Sequence, residues 1–233
     1  MGLAGCGHKI PPRAQVHPPP PVQPSSEAHG AEVPKLPRVD QDPLSIPPDA
    51  KPILTETGLA SWYGPPYHNR RGSNGEVYDM NAMTAAHRTL PLGTVVRVTN
   101  VKTGSAALVR ITDRGPFVGT RILDLSLAAA KKVDLVRAGV ATVRIEVMRC
   151  PAPIDQGGRW AVQIGAFAGQ SPASELADRI SRRYRTAKVT HFGSPVGDWW
   201  VRVRVLGDDR ERAKEVARDT TTPEGAVFLV RLD

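Results

Sequence analysis

Thr94-Val95-Val96-Arg97-Val98-Thr99-Asn100 alternates in polarity, Val101-Lys102-Thr103-Gly104 interrupts it, and Ala106-Ala107-Leu108-Val109-Arg110-Ile111-Thr112 resumes it. Successive side chains of a strand face opposite sides, so this spacing predicts an antiparallel hairpin turned at 100–104. Downstream, Ile122–Ser126 continues as a strand, Ser126 is placed to cap a short helix over Leu127–Val133, and Ala141–Met148 forms a further strand. Many short strands with little helix predict a closed β-barrel over residues 57–149.

Four polar, glycine- and aromatic-rich clusters interrupt this pattern: Gly58–Gly64 with Ser61, Trp62 and Tyr63; Asn74–Asp79 with Glu76 and Tyr78; Thr84–His87; and Thr112–Phe117 with Asp113 and Arg114. Side chains on loops held by a rigid scaffold are where sites concentrate. Asp113 closes an alternating strand and precedes Arg114-Gly115-Pro116, which offers its carboxyl at a sharp turn. On the residues alone it reads as a turn-forming Asx.

The four clusters together resemble the double-psi β-barrel of the rare lipoprotein A (RlpA) family, septal-ring lytic transglycosylases of the bacterial cell wall. The resemblance implies that Asp113 is the catalytic acid and that Glu76 and His87 are catalytic partners, Glu76 raising the pKa of Asp113 or orienting substrate. On the residues themselves, Tyr63, Tyr78 and Asp79 are further candidates for sugar contacts, Arg114 is expected to neutralise nearby acids, and Asp124 reads as structural. The implied reaction breaks a glycosidic bond without water. One carboxyl protonates the departing oxygen and then takes the proton of the muramyl C6 hydroxyl, leaving a 1,6-anhydro end. Two other readings stay open: a non-catalytic glycan-binding or wall-loosening protein of the expansin-like kind, and an inverting hydrolase with Asp113 as acid and Glu76 as base. No cofactor is expected. No metal is expected either, because the histidines are scattered and neither Cys-x-x-Cys nor His-Glu-x-x-His occurs.

Residues 150–158, with two prolines and two glycines, read as a linker that leaves the flanking modules independent. Beyond it the order is strand Trp160–Phe167, helix Pro172–Arg185, strand Ala187–His191, strand Asp198–Leu206, helix Asp208–Arg218 with Asp208 as its cap, and strand Ala226–Arg231. Two βαβ-like halves predict a ferredoxin-like α+β domain over 159–233, with both helices on one side of the sheet. Alternation then leaves Gln163, Phe167, Trp200 and Arg202 on the open face. Trp160-Ala161-Val162-Gln163-Ile164-Gly165-Ala166-Phe167 with Trp200 resembles the SPOR domain, which implies recognition of septal glycan strands lacking stem peptides. A sheet bearing aromatics would also suit single-stranded RNA, but the aromatic signature of that module is missing, so no nucleic-acid partner is expected.

The rest of the chain bounds these readings. Of its 22 prolines, 13 fall in residues 11–52, a stretch too poor in aliphatic residues to offset its ordering entropy, so 1–56 reads as an extended tether. Leu3-Ala4-Gly5-Cys6 resembles a lipobox, which implies a lipid on Cys6 and an anchor in the membrane, with Gly7 pointing to the outer one. Only five residues precede Cys6, so this reading expects a signal peptide upstream. Cys150 is then unpaired, a Cys6–Cys150 disulfide being the alternative. The net charge is +8, and residues 57–149 hold 13 Lys/Arg against 6 Asp/Glu, as suits an anionic polymer. The expected location is the periplasmic side of the envelope, at the division septum.

Overall fold

The computed structural model describes residues 44–47, 49–191, 198–220, 222 and 226–233. Cys6 and the proline-rich stretch before residue 44 lie outside the described residues.

Six strands close the first barrel: β1 (Leu54–Tyr63), β2 (Thr84–His87), β3 (Val95–Asn100), β4 (Ala106–Asp113), β5 (Leu123–Ser126) and β6 (Ala141–Arg149), in the order β1-β5-β2-β4-β3-β6. The hairpin read from 94–112 is β3–β4, with Val98 opposite Ala107. Local sequence does not announce the two parallel pairs, β1 with β5 and β2 with β4. Those pairs bring the ends of β1 and β4 to one rim. Strands β3 to β6 turn branched residues inward. Val96, Val98, Val109, Ile111, Leu123, Leu125, Val143 and Ile145 are essentially inaccessible, each such burial contributing about 1.5–3 kcal/mol. Ser126 caps α1 (Leu127–Lys132) by accepting from Ala129 N at 3.2 Å. Strand β1 starts at Leu54, inside the segment read as tether.

The second unit is a four-stranded sheet of β7 (Trp160–Phe167), β8 (Lys188–His191), β9 (Trp199–Arg204) and β10 (Ala226–Arg231), in the order β10-β7-β9-β8. Helices α2 (Gln170–Ser181) and α3 (Arg210–Asp219) cover one face through Ala173, Leu176, Ala177, Ala213 and Val216. This is the ferredoxin-like order expected. Asp209, not Asp208, caps α3, accepting from Glu211 N and Arg212 N.

Two expectations fail here. The β7–β9 register slips between Ile164 and Phe167, which carries Phe167 to the helix side, where it is 2% exposed in the core. Gly165 lies inside that irregularity, and a Cβ on it would stand 2.7 Å from Trp200 Cε3. Nor does the linker hold the units apart. Cys150 and Ile154 pack on the barrel core, Pro153 O accepts from Arg231 Nη1 at 2.7 Å, and Asp155 pairs with Arg210 at 2.7 Å. The Cys150 thiol bonds Thr94 Oγ1 and Ala152 O.

The face read as open meets the barrel instead. Trp200, Phe228 and Val230 form a cluster with Phe117 of the barrel. Arg88 lies 5.5 Å from the Phe228 ring centre, and backbone bonds run from Arg231 N to Arg88 O and from Leu92 N to Asp233 O. Gln163 and Trp200 are 0% exposed.

Candidate active site

Asp113 ends β4 beside β2, where the register shifts so that Ala86 stands opposite it. The turn at 72–76 docks on this strand end, with Asn74 N donating to Thr112 O. That contact brings Ser73 N (2.9 Å), Ser73 Oγ and Arg114 N (2.8 Å) onto one carboxylate oxygen, Asp113 Oδ1. Oδ2 accepts no hydrogen bond among the described residues. One oxygen is therefore fixed by three donors while the other is available to a reactant.

Asp113 lines a groove of about 730 Å³ at the barrel rim. Tyr63 and Tyr78 stack along it with ring centres 4.4 Å apart, and Tyr67 meets Tyr63 edge-on at 5.9 Å. Burial, followed by the nearby Asp113 charge, pushes the Tyr63 phenol well above its usual range, and burial raises Tyr78 as well. Tyr78 donates to Tyr63 O at 2.8 Å. Such a wall offers flat apolar faces with a few polar atoms, the pattern that stacks on sugar rings.

A second carboxyl lines the groove, and it is Asp124 rather than Glu76. Burial pushes Asp124 up, opposed by the Ser61 hydroxyl at 2.6 Å and by Arg121. Glu76 is turned outward and gripped by Arg110 through two bonds of 2.8 and 3.2 Å, which hold its carboxyl below the ordinary value. It does not line the groove, and the same is true of Asp79, whose Oδ1 accepts from Asn81 N.

His87 follows Ala86 on β2, so it faces away from the groove that Ala86 lines. It is 4% exposed, its Nδ1 accepts from Thr89 N and Leu90 N, and its Nε2 stands 3.5 Å from Glu56 Oε2. Two donors on Nδ1 put the ring proton on Nε2. The folded 87–90 turn presents the carbonyls of His87 and Leu90 to Arg114 Nη1, while Nη2 binds Asp233 O. Arg114, pushed down to about 10 by burial and held up in part by the Asp233 and Asp113 charges, ties three carbonyls together as well as facing these acids. His87 thus reaches Asp113 indirectly, through the turn and Arg114.

Among the described residues of the second module, Arg202 alone lines the groove. Its Nε donates to Gln163 Oε1 at 2.8 Å. Sequence reasoning missed Ser73, Tyr67, Arg121 and Asp124 as groove residues. Ser73 carried a signal, the glycine-flanked turn 72–75, whereas Asp124 and Arg121 come to the rim only through the parallel β1–β5 pairing. Among the described residues no group of three His, Cys, Asp or Glu is arranged to hold a metal, and no helix is long and apolar enough to cross a membrane.

Residues 55–145 match the family described as lytic transglycolase, and 156–219 match the SPOR domain. The endolytic peptidoglycan transglycosylase RlpA of Campylobacter jejuni is 40% identical over 189 residues, covering 71% of this chain and 67% of its own length. The protein of that name from Helicobacter pylori J99 is 41% identical over 160 residues, with 57% and 51% covered. That of Neisseria meningitidis serogroup A is 59% identical over 131 residues, with 55% of each covered. The chain thus spans between about half and two thirds of these relatives.

Proposed function

This chain belongs to the RlpA family, and on that premise we propose that it is an endolytic peptidoglycan lytic transglycosylase. The observation that carries the proposal is Asp113, with Oδ1 held by three donors and Oδ2 available in a tyrosine-lined groove. The substrate is the bond between a muramyl C1 and the next sugar's O4. Asp113 gives its proton to O4 as the C1–O4 bond breaks. The muramyl C6 oxygen then closes on C1, and its proton returns to Asp113. No water enters, and the products are a 1,6-anhydro end and a free 4-hydroxyl.

Tyr63 and Tyr78 are the sugar-stacking residues of this proposal. His87 and Glu76 act by position: His87 shapes the turn that holds Arg114, and Glu76 with Arg110 fixes the turn that carries Ser73. The strand is one lacking stem peptides, the protein is held by a lipid on Cys6, and it works at the outer-membrane side of the division septum. These finer points rest on the sequence reading. An inverting hydrolase with Glu76 as base is disfavoured because Glu76 is spent on Arg110 outside the groove.

The test is to incubate the protein with amidase-treated sacculi and weigh the released fragments. Anhydro ends, lighter by one water than reducing ends and lost in Asp113→Asn, are expected. Reducing ends would indicate hydrolysis, and no release would indicate a binding protein.

A further inference from the structure

Arg202 belongs to the sheet module, yet its side chain reaches the groove in which Asp113 lies. On β9 it follows Trp200 on the face turned to the barrel, and the Phe117–Trp200 and Arg88–Phe228 contacts hold that face against the rim. Its guanidinium is fixed from behind by Gln163, itself wholly buried, whose Oε1 accepts a hydrogen bond from Nε–H and whose Nε2 has no partner among the described residues. That leaves the two Nη groups, the fork that binds a carboxylate.

Three of the other groove arginines are hydrogen-bonded or ion-paired through their guanidinium groups, and the fourth, Arg70, is exposed on the surface beside Tyr67. Arg121 pairs with Asp124, Arg114 holds backbone carbonyls, Arg71 donates to Gly75 O, and Arg70 lies over the Tyr67 ring. Arg202 makes no ion pair among the described residues, and loss of solvent alone depresses its pKa. A half-buried cation with unpaired fork atoms favours an anion that arrives with the ligand.

We propose that Arg202 is a specificity residue of the cleavage groove, supplied by the second module, that recognises the free lactyl carboxylate of a peptide-free muramyl residue. This rests on the glycan-cleaving reading above and deepens it. In a glycan strand the lactyl group is a carboxylate only where the stem peptide has been removed, and elsewhere it is a neutral amide. The fork of Arg202 accepts the first and loses its charge-assisted bonds to the second. Selection of denuded strands is then made in the groove that also holds Asp113, and the two modules share one site.

The test uses the full chain carrying Asp113→Asn, so that strands bind without being cut. Kd is measured for denuded glycan from amidase-treated sacculi and for the same glycan with its lactyl carboxylates converted to methylamides. The carboxylate form should bind about 10-fold more tightly, the scale of a charge-assisted hydrogen bond. Adding Arg202→Gln should bring both forms to the weaker value, and Arg202→Lys should keep part of the preference. Equal binding of the two glycans by the Asp113→Asn chain overturns the inference, and that comparison needs no change at Arg202. A preference that survives Arg202→Gln overturns it as well. Failure of the wild-type chain to release anhydro ends would instead count against the proposed reaction, while the binding comparison still decides the role of Arg202.

Discussion

The ring of Phe117, on the turn that follows Asp113, lies 5.4 Å from the ring of Trp200 on an inner strand of the second module. The contact joins the loop next to the proposed acid with the sheet face that sequence reasoning left open. Phe228, 5.7 Å from Phe117, completes the cluster. An aromatic pair contributes about 0.5–1.5 kcal/mol beyond its buried area. The two units are therefore coupled through side chains two to four residues away from the site chemistry.

Phe117→Ala should loosen this junction without touching either core. The loss expected is about 1–3 kcal/mol, as for removal of a partly buried aromatic. Differential scanning calorimetry should show the unfolding transition broadening or dividing in two, and trypsin should cut faster at Arg149 and Arg159, which flank the docked linker. An unchanged transition with unchanged cleavage rates would mean that the junction does not couple the modules.

Ser73→Ala removes one of the three donors on Asp113 Oδ1 and leaves the two backbone N–H groups. The carboxyl keeps its place but gains rotational freedom. The rate of anhydro-end release should fall by about 10-fold, as for one lost positioning hydrogen bond of about 1.4 kcal/mol. Asp113→Asn, lacking the transferable proton, should fall by roughly 10²–10⁴. Equal losses in the two variants would show that Ser73 does more than position.

Legibility in the sequence followed the range of each interaction. The β3–β4 hairpin, the Ser126 cap and the ferredoxin-like order were readable because alternation and caps act between near neighbours. The proposed acid, Asp113, was marked by its strand-end position and by family likeness together. What the sequence hid depends on distant partners. The pairing of Ser61 with Asp124 arises from parallel strands 63 residues apart, and Arg110, which takes Glu76 out of the groove, is 34 residues from it. Phe167 was misplaced because one register slip inverts every later side chain. The open sheet face was misread because strand alternation says which residues share a face and nothing about what covers it.

Acid stability offers a separate check on His87. Burial holds its folded pKa below the ordinary 6.5, while in the unfolded chain it titrates near that value. As the pH falls through about 6.5, the unfolded state takes up a proton that the native state refuses, so stability declines, by up to about 1.4 kcal/mol per pH unit. Glu56, held below 4.5 chiefly by its bond to His87, adds stability above 4.5 that disappears as the pH drops through its folded value. Against wild type, His87→Gln should be less stable at pH 7.5, where it has lost the two Nδ1 bonds, and the gap should narrow by pH 5.5. Urea midpoints at the two pH values decide this, and parallel curves would exclude a neutral buried imidazole.

Gly165 tests whether the sheet face must sit as close as it does. Its φ of +152° is one that residues with a Cβ rarely adopt, and an added Cβ would lie 2.7 Å from Trp200 Cε3 and 3.3 Å from Trp199 O. The indole is 0% exposed between β7 and Phe117, so it has no free space to retreat into. Gly165→Ala should therefore push Trp200 toward the barrel, at a cost of about 1–3 kcal/mol for overpacking. It should also displace the neighbouring Arg202, which shares the face and the groove. Three readouts follow from one change: a lower melting temperature, a red-shifted tryptophan fluorescence and weaker glycan binding. Gly165→Ala with wild-type stability and wild-type affinity would show that the module's sheet does not press on the barrel through Trp200. Loss of stability with full affinity would separate the contact from recognition and leave Arg202 to hold its place without it.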